Sequence, residues 1–286
     1  MNILITGGRG FVGRHLYADL VAHKHNVTSF DIVDGQDIRN LHDLDKTFEY
    51  TQCSLVIHLA ARAGVRRSTE YPHEYLTTNI EGTWNVGKMC EKYGCSLISF
   101  SSSSVYGDAT PPVKETDRMN PISLYGTTKL CAEHIVNQLS VPTTIIRPFT
   151  IYGEDGRGDQ VFYKWLNQYK SGRPVTVFDS KESSRGYTYI GDIVGVILHL
   201  TNMCWEWKED FNIGGPEVIT INDLKDIFEE NIPGFKKRMR ILSHPDSDIG
   251  VNYADYSKAQ KMLGYHPKPQ FRQLVSRIIQ SELTKH

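Results

Sequence analysis

Cysteine is scarce and scattered. Five thiols (Cys53, Cys90, Cys95, Cys131 and Cys204) fall in 286 residues, with no Cys-x-x-Cys pair among them. An odd, dispersed set argues against a disulfide framework and reads as free thiols in a reducing compartment. Long apolar runs are missing too. No window approaches the roughly eighteen consecutive apolar residues of a membrane-spanning helix, so no membrane association is expected. The opening "MNILITGG" enters a strand at once, without the charged and apolar regions of a signal peptide, and the expected location is cytoplasmic. There is no excess of charge of one sign: 32 Lys and Arg stand against 33 Asp and Glu, a net of −1. Bulk attraction to nucleic acid or an anionic membrane is therefore unsupported. His, Cys, Asp and Glu nowhere fall in a metal-ligand spacing, so no metal is expected. Repeats and low-complexity tracts are absent as well.

What is present is an alternation. Residues 2–7, 27–31, 54–60, 96–102 and 143–148 read as strands, near-continuously apolar as strands covered on both faces should be. Between them, 11–23, 40–49, 72–93 and 122–139 read as helices. This pattern predicts an α/β fold, a Rossmann-type doubly wound parallel sheet with right-handed crossovers, over residues 1–148. After Pro148 the texture changes to longer loops, "GEDGRGD", "DSKESSRG" and "HPDSD", with short elements between them. Residues 149–286 are expected to form a smaller, interleaved substrate domain. Within it, "GYTYIGDIVGVILHLT" and "FNIGG", in the stretch 187–215, look sheet-associated and are expected to return to the large domain. Trp205 and Trp207 read as packing residues.

The first strand and helix are joined by "TGGRGFVG", with Gly7, Gly10 and Gly13 in the turn. Glycines there allow a tight turn and let backbone N–H groups approach a pyrophosphate at the helix N-terminus. An ordinary strand–turn–helix also carries glycines, so context decides. The context is Asp31, which ends the next strand eighteen residues past Gly13. An acid in that place accepts the ribose hydroxyls and repels a 2′-phosphate, which favours NAD over NADP. Only five residues then separate Asp31 from Asp37, where a helix and a further strand would normally fit. The second crossover is therefore expected to shrink to a turn, with Asp37 and Ile38 near the adenine and a reduced sheet on that edge.

A second constellation follows. The strand at 96–102 ends in serines, and Tyr125 and Lys129 stand four apart on a predicted helix, hence on one face. Tyrosine, with a reference pKa of about 10, is a poor base unless a nearby cation favours its phenolate. Lys129 is expected to supply that cation, and a serine hydroxyl to align a substrate hydroxyl. Both halves would meet at the C-terminal edge of the sheet, where α/β folds bind ligands. His58 reads as a hydrogen-bonded core or cofactor-pocket histidine rather than a metal ligand.

In combination, "TGGRGFVG", "HLAARAGVRRS", "NIEGTWNV", "SSSSVYG", "YGTTK", "IIRPFTIYG", "RGYTYIGDI" and "YADYSKAQKMLGYHPK" resemble the extended short-chain dehydrogenase/reductases. The resemblance is to their NAD-dependent nucleotide-sugar epimerase/dehydratase group, closest to UDP-glucuronate 4-epimerases. It implies a UDP-sugar as substrate partner and a homodimer formed through helices 80–92 and 124–139. It implies Ser102, four residues before Tyr106, as the catalytic serine beside Tyr125 and Lys129. Gly7, Gly10, Phe11, Val12, Gly13, Leu59, Ala60, Ala61 and Asn79 would contact the cofactor, with Lys129 also binding the nicotinamide ribose. Arg66, Ser103, Ser104, Thr150, Arg157 and Arg185 would face the substrate, Arg157 toward a C6 carboxylate and Arg185 toward a phosphate. The group's dehydratases carry Asp-Glu after the catalytic residue. Ser103 and Ser104 stand there instead, favouring epimerisation. A UDP-glucose or UDP-N-acetylglucosamine 4-epimerase, a nucleotide-sugar 4-ketoreductase or dehydratase, or a non-catalytic dinucleotide-binding protein on the same fold stays open at this point.

Overall fold

The computed structural model describes residues 1–179, 183–203, 208–243 and 250–284. Strands β1 (Asn2–Thr6), β2 (Asn26–Phe30), β3 (Leu55–His58), β4 (Ser96–Phe100) and β5 (Thr143–Pro148) form one sheet, all pairs parallel. Its far edge is a later strand, Lys208–Ile213, and the order is β2-β1-β3-β4-β5 and then that strand. Side chains alternate between faces, and both faces are covered. Ile3 and Ile5 pack with Leu16 and Leu20 of helix α1 (Phe11–Ala22), whereas Leu4 packs on the other face with Phe48 and Val86. Those last two come from α2 (Leu41–Thr51) and from the helix at Gly82–Tyr93. Burying each such side chain stabilises the fold by roughly 1.5–3 kcal/mol, which is why the strands are apolar almost throughout.

β2 is the end of the sheet, as the short spacing after Asp31 implied. A single 3₁₀ turn, Ile32–Asp34, replaces the missing helix and strand, and the chain runs straight on to Asp37 and α2. Two local readings differ from the structure. The segment 63–68, to which the sequence assigned no element, turns at Gly64 (φ +103) and enters helix α3 (Val65–Glu70), too short for apolar periodicity to announce it. The expected single helix 72–93 is α4 (Pro72–Leu76), one π-wound turn at Thr77–Glu81, and α5 (Gly82–Tyr93). Helix α6 (Leu124–Gln138) follows, capped by Ser123, whose hydroxyl accepts from the Gly126 N–H at 3.1 Å.

Beyond β5 lie β6 (Thr150–Tyr152), α7 (Val161–Lys170), β7 (Val175–Asp179) and β8 (Ser184–Tyr189). Of the run expected to be sheet-associated, only the opening "GYTY" is strand. From Ile190 it becomes helix α8 (Ile190–Thr201), whose Ile193, Ile197 and Leu200 share the core of Ile3 and Ile5. Its apolar residues recur at helical spacing, a period masked by apolar neighbours on both sides of the stripe. "FNIGG" does return to the large sheet, in β9 (Lys208–Ile213) beside β5. The remaining elements are β10 (Val218–Thr220), α9 (Ile221–Asn231), β11 (Met239–Ser243), β12 (Val251–Asn252), α10 (Ser257–Leu263) and α11 (Phe271–Thr284). β8 pairs with β6, β10 and β12, and β7 pairs with β11. A second core of aromatic residues, among them Trp165, Phe228, Phe235 and Phe271, holds these elements together. Trp205, Trp207 and "HPDSD" lie outside the described residues.

Candidate active site

The turn after β1 is built for close approach. Gly7 has φ +77, and a Cβ there would meet the Ala60 backbone nitrogen at 2.6 Å. A Cβ on Gly13 would meet the Gly7 carbonyl oxygen at 2.3 Å. Gly10 caps α1 without any side-chain hydrogen bond, so the first-turn N–H groups face outward for an anion. Asp31 is buried beside them. One carboxylate oxygen accepts from the Arg9 N–H at 2.8 Å and the other from the Val33 N–H at 2.9 Å. A cavity of about 240 Å³ opens there, walled by Gly7, Asp31, Asp37, Leu59, Ala60 and Ala61. Asp37 is held by the Arg39 guanidinium at 3.0 Å, which keeps its carboxyl below the usual range. Ile38 reaches the same wall, but its side chain packs in the core against Gly82. Glycine cradle, open helix end and ribose acid together fit a dinucleotide.

A second cavity, of about 450 Å³, adjoins the first through Gly7, Gly10, Leu59 and Ala61, and also takes in Phe11, Val12 and Gly13. Its walls include Ser102, Ser103, Ser104, Tyr125, Lys129 and Thr150, with Arg157 and Arg185 also on its surface. Ser102 and Ser104 hydroxyls lie 3.2 Å apart, and Ser102 Oγ also accepts from the Ser104 N–H. Burial pushes the Tyr125 hydroxyl above its ordinary pKa, while a hydrogen bond from Ser102 and the charge of Arg157 pull it back. Arg157 is thus a cation acting on Tyr125 that the sequence reading did not point to. Lys129 Nζ donates to the Phe100 carbonyl, and burial pushes its pKa down to about 8 against the upward pull of Glu133. His58 lies close to Lys129. Its ring bonds Thr6 at 2.7 Å and Thr83 at 3.0 Å, and burial pushes it down to about 3. It is the neutral, hydrogen-bonded histidine expected.

Asn79 rides on the π-wound turn, fully buried. Its amide accepts from the Arg62 N–H (2.7 Å) and donates to the Arg62 carbonyl (3.0 Å) and Thr128 Oγ1 (3.0 Å). It therefore ties the loop after β3 to α6 rather than lining either cavity itself. Arg66 is not on the cavity wall either. From α3 it stacks over the Phe178 ring at 4.4 Å. Arg185 lines the cavity and donates to the Gly250 carbonyl at 2.7 Å. Arg157 pairs with Asp159 two residues on, its Nε 2.9 Å from the carboxylate. Among the wall residues that escaped the sequence reading are two polar ones beside the serine turn and β6. Asn252, just before "YAD", donates to Ser103 Oγ at 3.2 Å, and Gln160 donates to the Ile151 carbonyl at 2.5 Å. Neither belongs to a periodic pattern. The sole signal was their position beside recognisable motifs.

The chain belongs to the NAD-dependent epimerase/dehydratase family, whose model matches residues 3–214. A UDP-glucuronate 4-epimerase of Thermodesulfobacterium geofontis is 36% identical over 242 residues, 81% of this chain and 73% of that one. The crystal structure of UDP-glucuronic acid 4-epimerase from Bacillus cereus, in complex with UDP-glucuronic acid and NAD, matches with a TM-score of 0.88 at 28% identity, covering 98% of this chain and 99% of that one. The UDP-glucose 4-epimerase of Thermotoga maritima, with UDP-glucose, matches with a TM-score of 0.89 at 27% identity, covering 98% of each chain. NAD is the cofactor of this family, and the cradle described above suits it.

Proposed function

We propose that this chain is an NAD-dependent 4-epimerase of a UDP-sugar, and that UDP-glucuronate is its substrate. The observation carrying the reading is the convergence of Ser102, Tyr125, Lys129 and Arg157 on one cavity that is continuous with the dinucleotide cradle. Bound NAD would supply a hydride acceptor and a positive charge beside Tyr125, held by Gly7, Gly10, Gly13 and Asp31. Tyr125, as phenolate, takes the proton of the sugar 4-hydroxyl while Ser102 keeps that hydroxyl in line. Lys129 leaves the Phe100 carbonyl for the ribose and adds its charge to the phenolate site. The 4-keto sugar turns in the cavity so that the hydride would return to the opposite face of C4, and Tyr125 gives the proton back to the 4-oxygen. Asn79 and Thr128 hold α6 so that both groups keep their places. Ser103 and Ser104 bring no acid–base pair for loss of water, which favours epimerisation over dehydration. Thr150 and Arg157 offer a hydroxyl and a guanidinium to a C6 carboxylate.

One observation favours a neutral hexose instead: the guanidinium of Arg157 already holds the Asp159 carboxylate. Incubation with UDP-glucuronate, UDP-glucose and UDP-N-acetylglucosamine, followed by proton NMR of the sugar, tests both. UDP-galacturonate as the main product is expected. Turnover of UDP-glucose with no turnover of UDP-glucuronate overturns the uronate assignment, and no epimer from any of the three overturns the reaction.

A homodimer belongs to the same proposal. Trp84 on α5 is 47% exposed, in an apolar hollow with Leu76, Ile80 and Ile135, across the α4–α6 surface. Light scattering should give twice the chain mass, and Trp84→Arg should return the monomer.

A further inference from the structure

The cofactor filter of this chain has a second acid. Arg9 sits between two glycines of the cradle, and its backbone N–H donates to Asp31 at 2.8 Å. The loop therefore places a guanidinium on the rim of the ribose cavity, beside the carboxylate that excludes a 2′-phosphate. A guanidinium in that place is the natural receptor for such a phosphate. Here it is already engaged: Nε lies 2.9 Å and Nη2 3.2 Å from the two carboxylate oxygens of Asp34. Asp34 is there because the second crossover is cut to the turn Ile32–Asp34, which ends three residues past Asp31. A full crossover would carry the chain off into a helix at this point.

We propose that Asp34 is a cofactor-specificity residue, which acts through Arg9 to keep the ribose rim closed to a 2′-phosphate. The groups facing Arg9 are Asp34, Asp31 and Tyr17. Around Arg9 itself, two acids, Asp31 and Asp34, face one base. Removing Asp31 alone leaves Arg9 neutralised by Asp34, so the rim gains little attraction for NADP. Removing both frees the guanidinium. The Arg9–Asp34 pair is exposed, at 58% and 35% for the two side chains, so releasing it costs the fold little.

The test is equilibrium binding of NAD and NADP to the full chain, followed by calorimetry, and it does not depend on which sugar is turned over. Asp31→Asn keeps an acceptor for the turn and should weaken NAD. Asp31→Asn with Asp34→Ala should bind NADP about two- to fivefold more tightly than Asp31→Asn alone, the scale of one surface charge pair. Adding Arg9→Met to that double variant should remove the gain. With Asp31 intact, Asp34→Ala should leave NAD affinity unchanged and tighten NADP about twofold over wild type, and Arg9→Met should cancel this as well. A double variant no tighter for NADP than Asp31→Asn, or a gain that survives Arg9→Met, overturns the proposal. If Asp31→Asn does not fold, an Asp34→Ala chain with wild-type NADP affinity overturns it on its own.

Discussion

Glu133 and Arg147 meet in the interior through two hydrogen bonds of 2.9 and 2.7 Å, with side chains only 3% and 4% exposed. Glu133 stands one turn beyond Lys129 on α6, and Arg147 belongs to β5 and also donates to the Tyr106 hydroxyl at 2.8 Å. One ion pair thus joins the helix carrying Tyr125 and Lys129 to the strand beside the serine turn. Breaking one partner of a buried pair costs about 3–5 kcal/mol, but Arg147 keeps a second carboxylate, Asp210, at 2.5 Å, so Glu133→Gln should lower the thermal midpoint by a few degrees. It also removes the charge that opposes burial at Lys129. The lysine pKa should then fall below about 8, and the alkaline decline of kcat/KM should begin at lower pH. A pH profile identical to wild type would show that Glu133 does no more than hold the helix.

Tyr125→Phe removes the proton acceptor and leaves the cradle untouched. Turnover should fall about 10²–10⁴-fold while NAD affinity stays as in wild type. Wild-type rates in this variant would remove Tyr125 from the chemistry.

His58 is neutral in the fold and ionises in the unfolded chain near its ordinary pKa. Its folded pKa, about 3, lies below that value, so the unfolded state binds more protons between these limits and stability falls as pH drops through this window. Between pH 6.5 and 5 the loss attributable to His58 is about 2 kcal/mol. Comparing urea midpoints of wild type and His58→Gln across that range checks it: the variant should show a shallower dependence, and parallel curves would refute the assignment.

Arg157→Ala tests the carboxylate hold. Oxidation of a glucuronate at C4 creates a β-keto acid, which loses CO₂ when the C5–carboxylate bond stands perpendicular to the carbonyl plane. Fixing the carboxylate elsewhere protects it. The variant should turn over UDP-glucuronate more slowly and release a decarboxylated UDP-pentose, seen by mass spectrometry. Clean epimerisation at the wild-type rate would place Arg157 outside the sugar site.

The sequence made some of this legible and left the rest dark, for physical reasons. β1, β3, β4 and β5 were readable because burial on both faces demands unbroken apolar runs, as in "LVIH" of β3. The cradle and the Tyr125–Lys129 face were readable because their chemistry fixes residue type and spacing together. Partners set by tertiary approach were not. Lys129 binding the Phe100 carbonyl, Arg157 acting on Tyr125, and Arg66 stacking on Phe178 all join residues far apart in the chain. Helix α8 was misread because Gly191 and Gly195 and dense apolar residues hide its period. The pairing of Arg9 with Asp34 arises from a three-residue turn, below the length at which any periodicity exists.

Ending the large sheet at β2 leaves that strand with one neighbour and an open flank. Its outward backbone N–H and C=O groups form a template on which another extended chain could grow. The strand keeps this hazard low by its brevity and its chemistry. It has five residues, of which Asn26, Thr28 and Ser29 are polar, and among the described residues β1 is its only partner. A chain that has shed a crossover thus gains compactness and takes on an aggregation-prone border, which polar residues guard in place of a covering strand. Replacing Thr28 with an aliphatic residue would weaken that guard without touching the catalytic cavity.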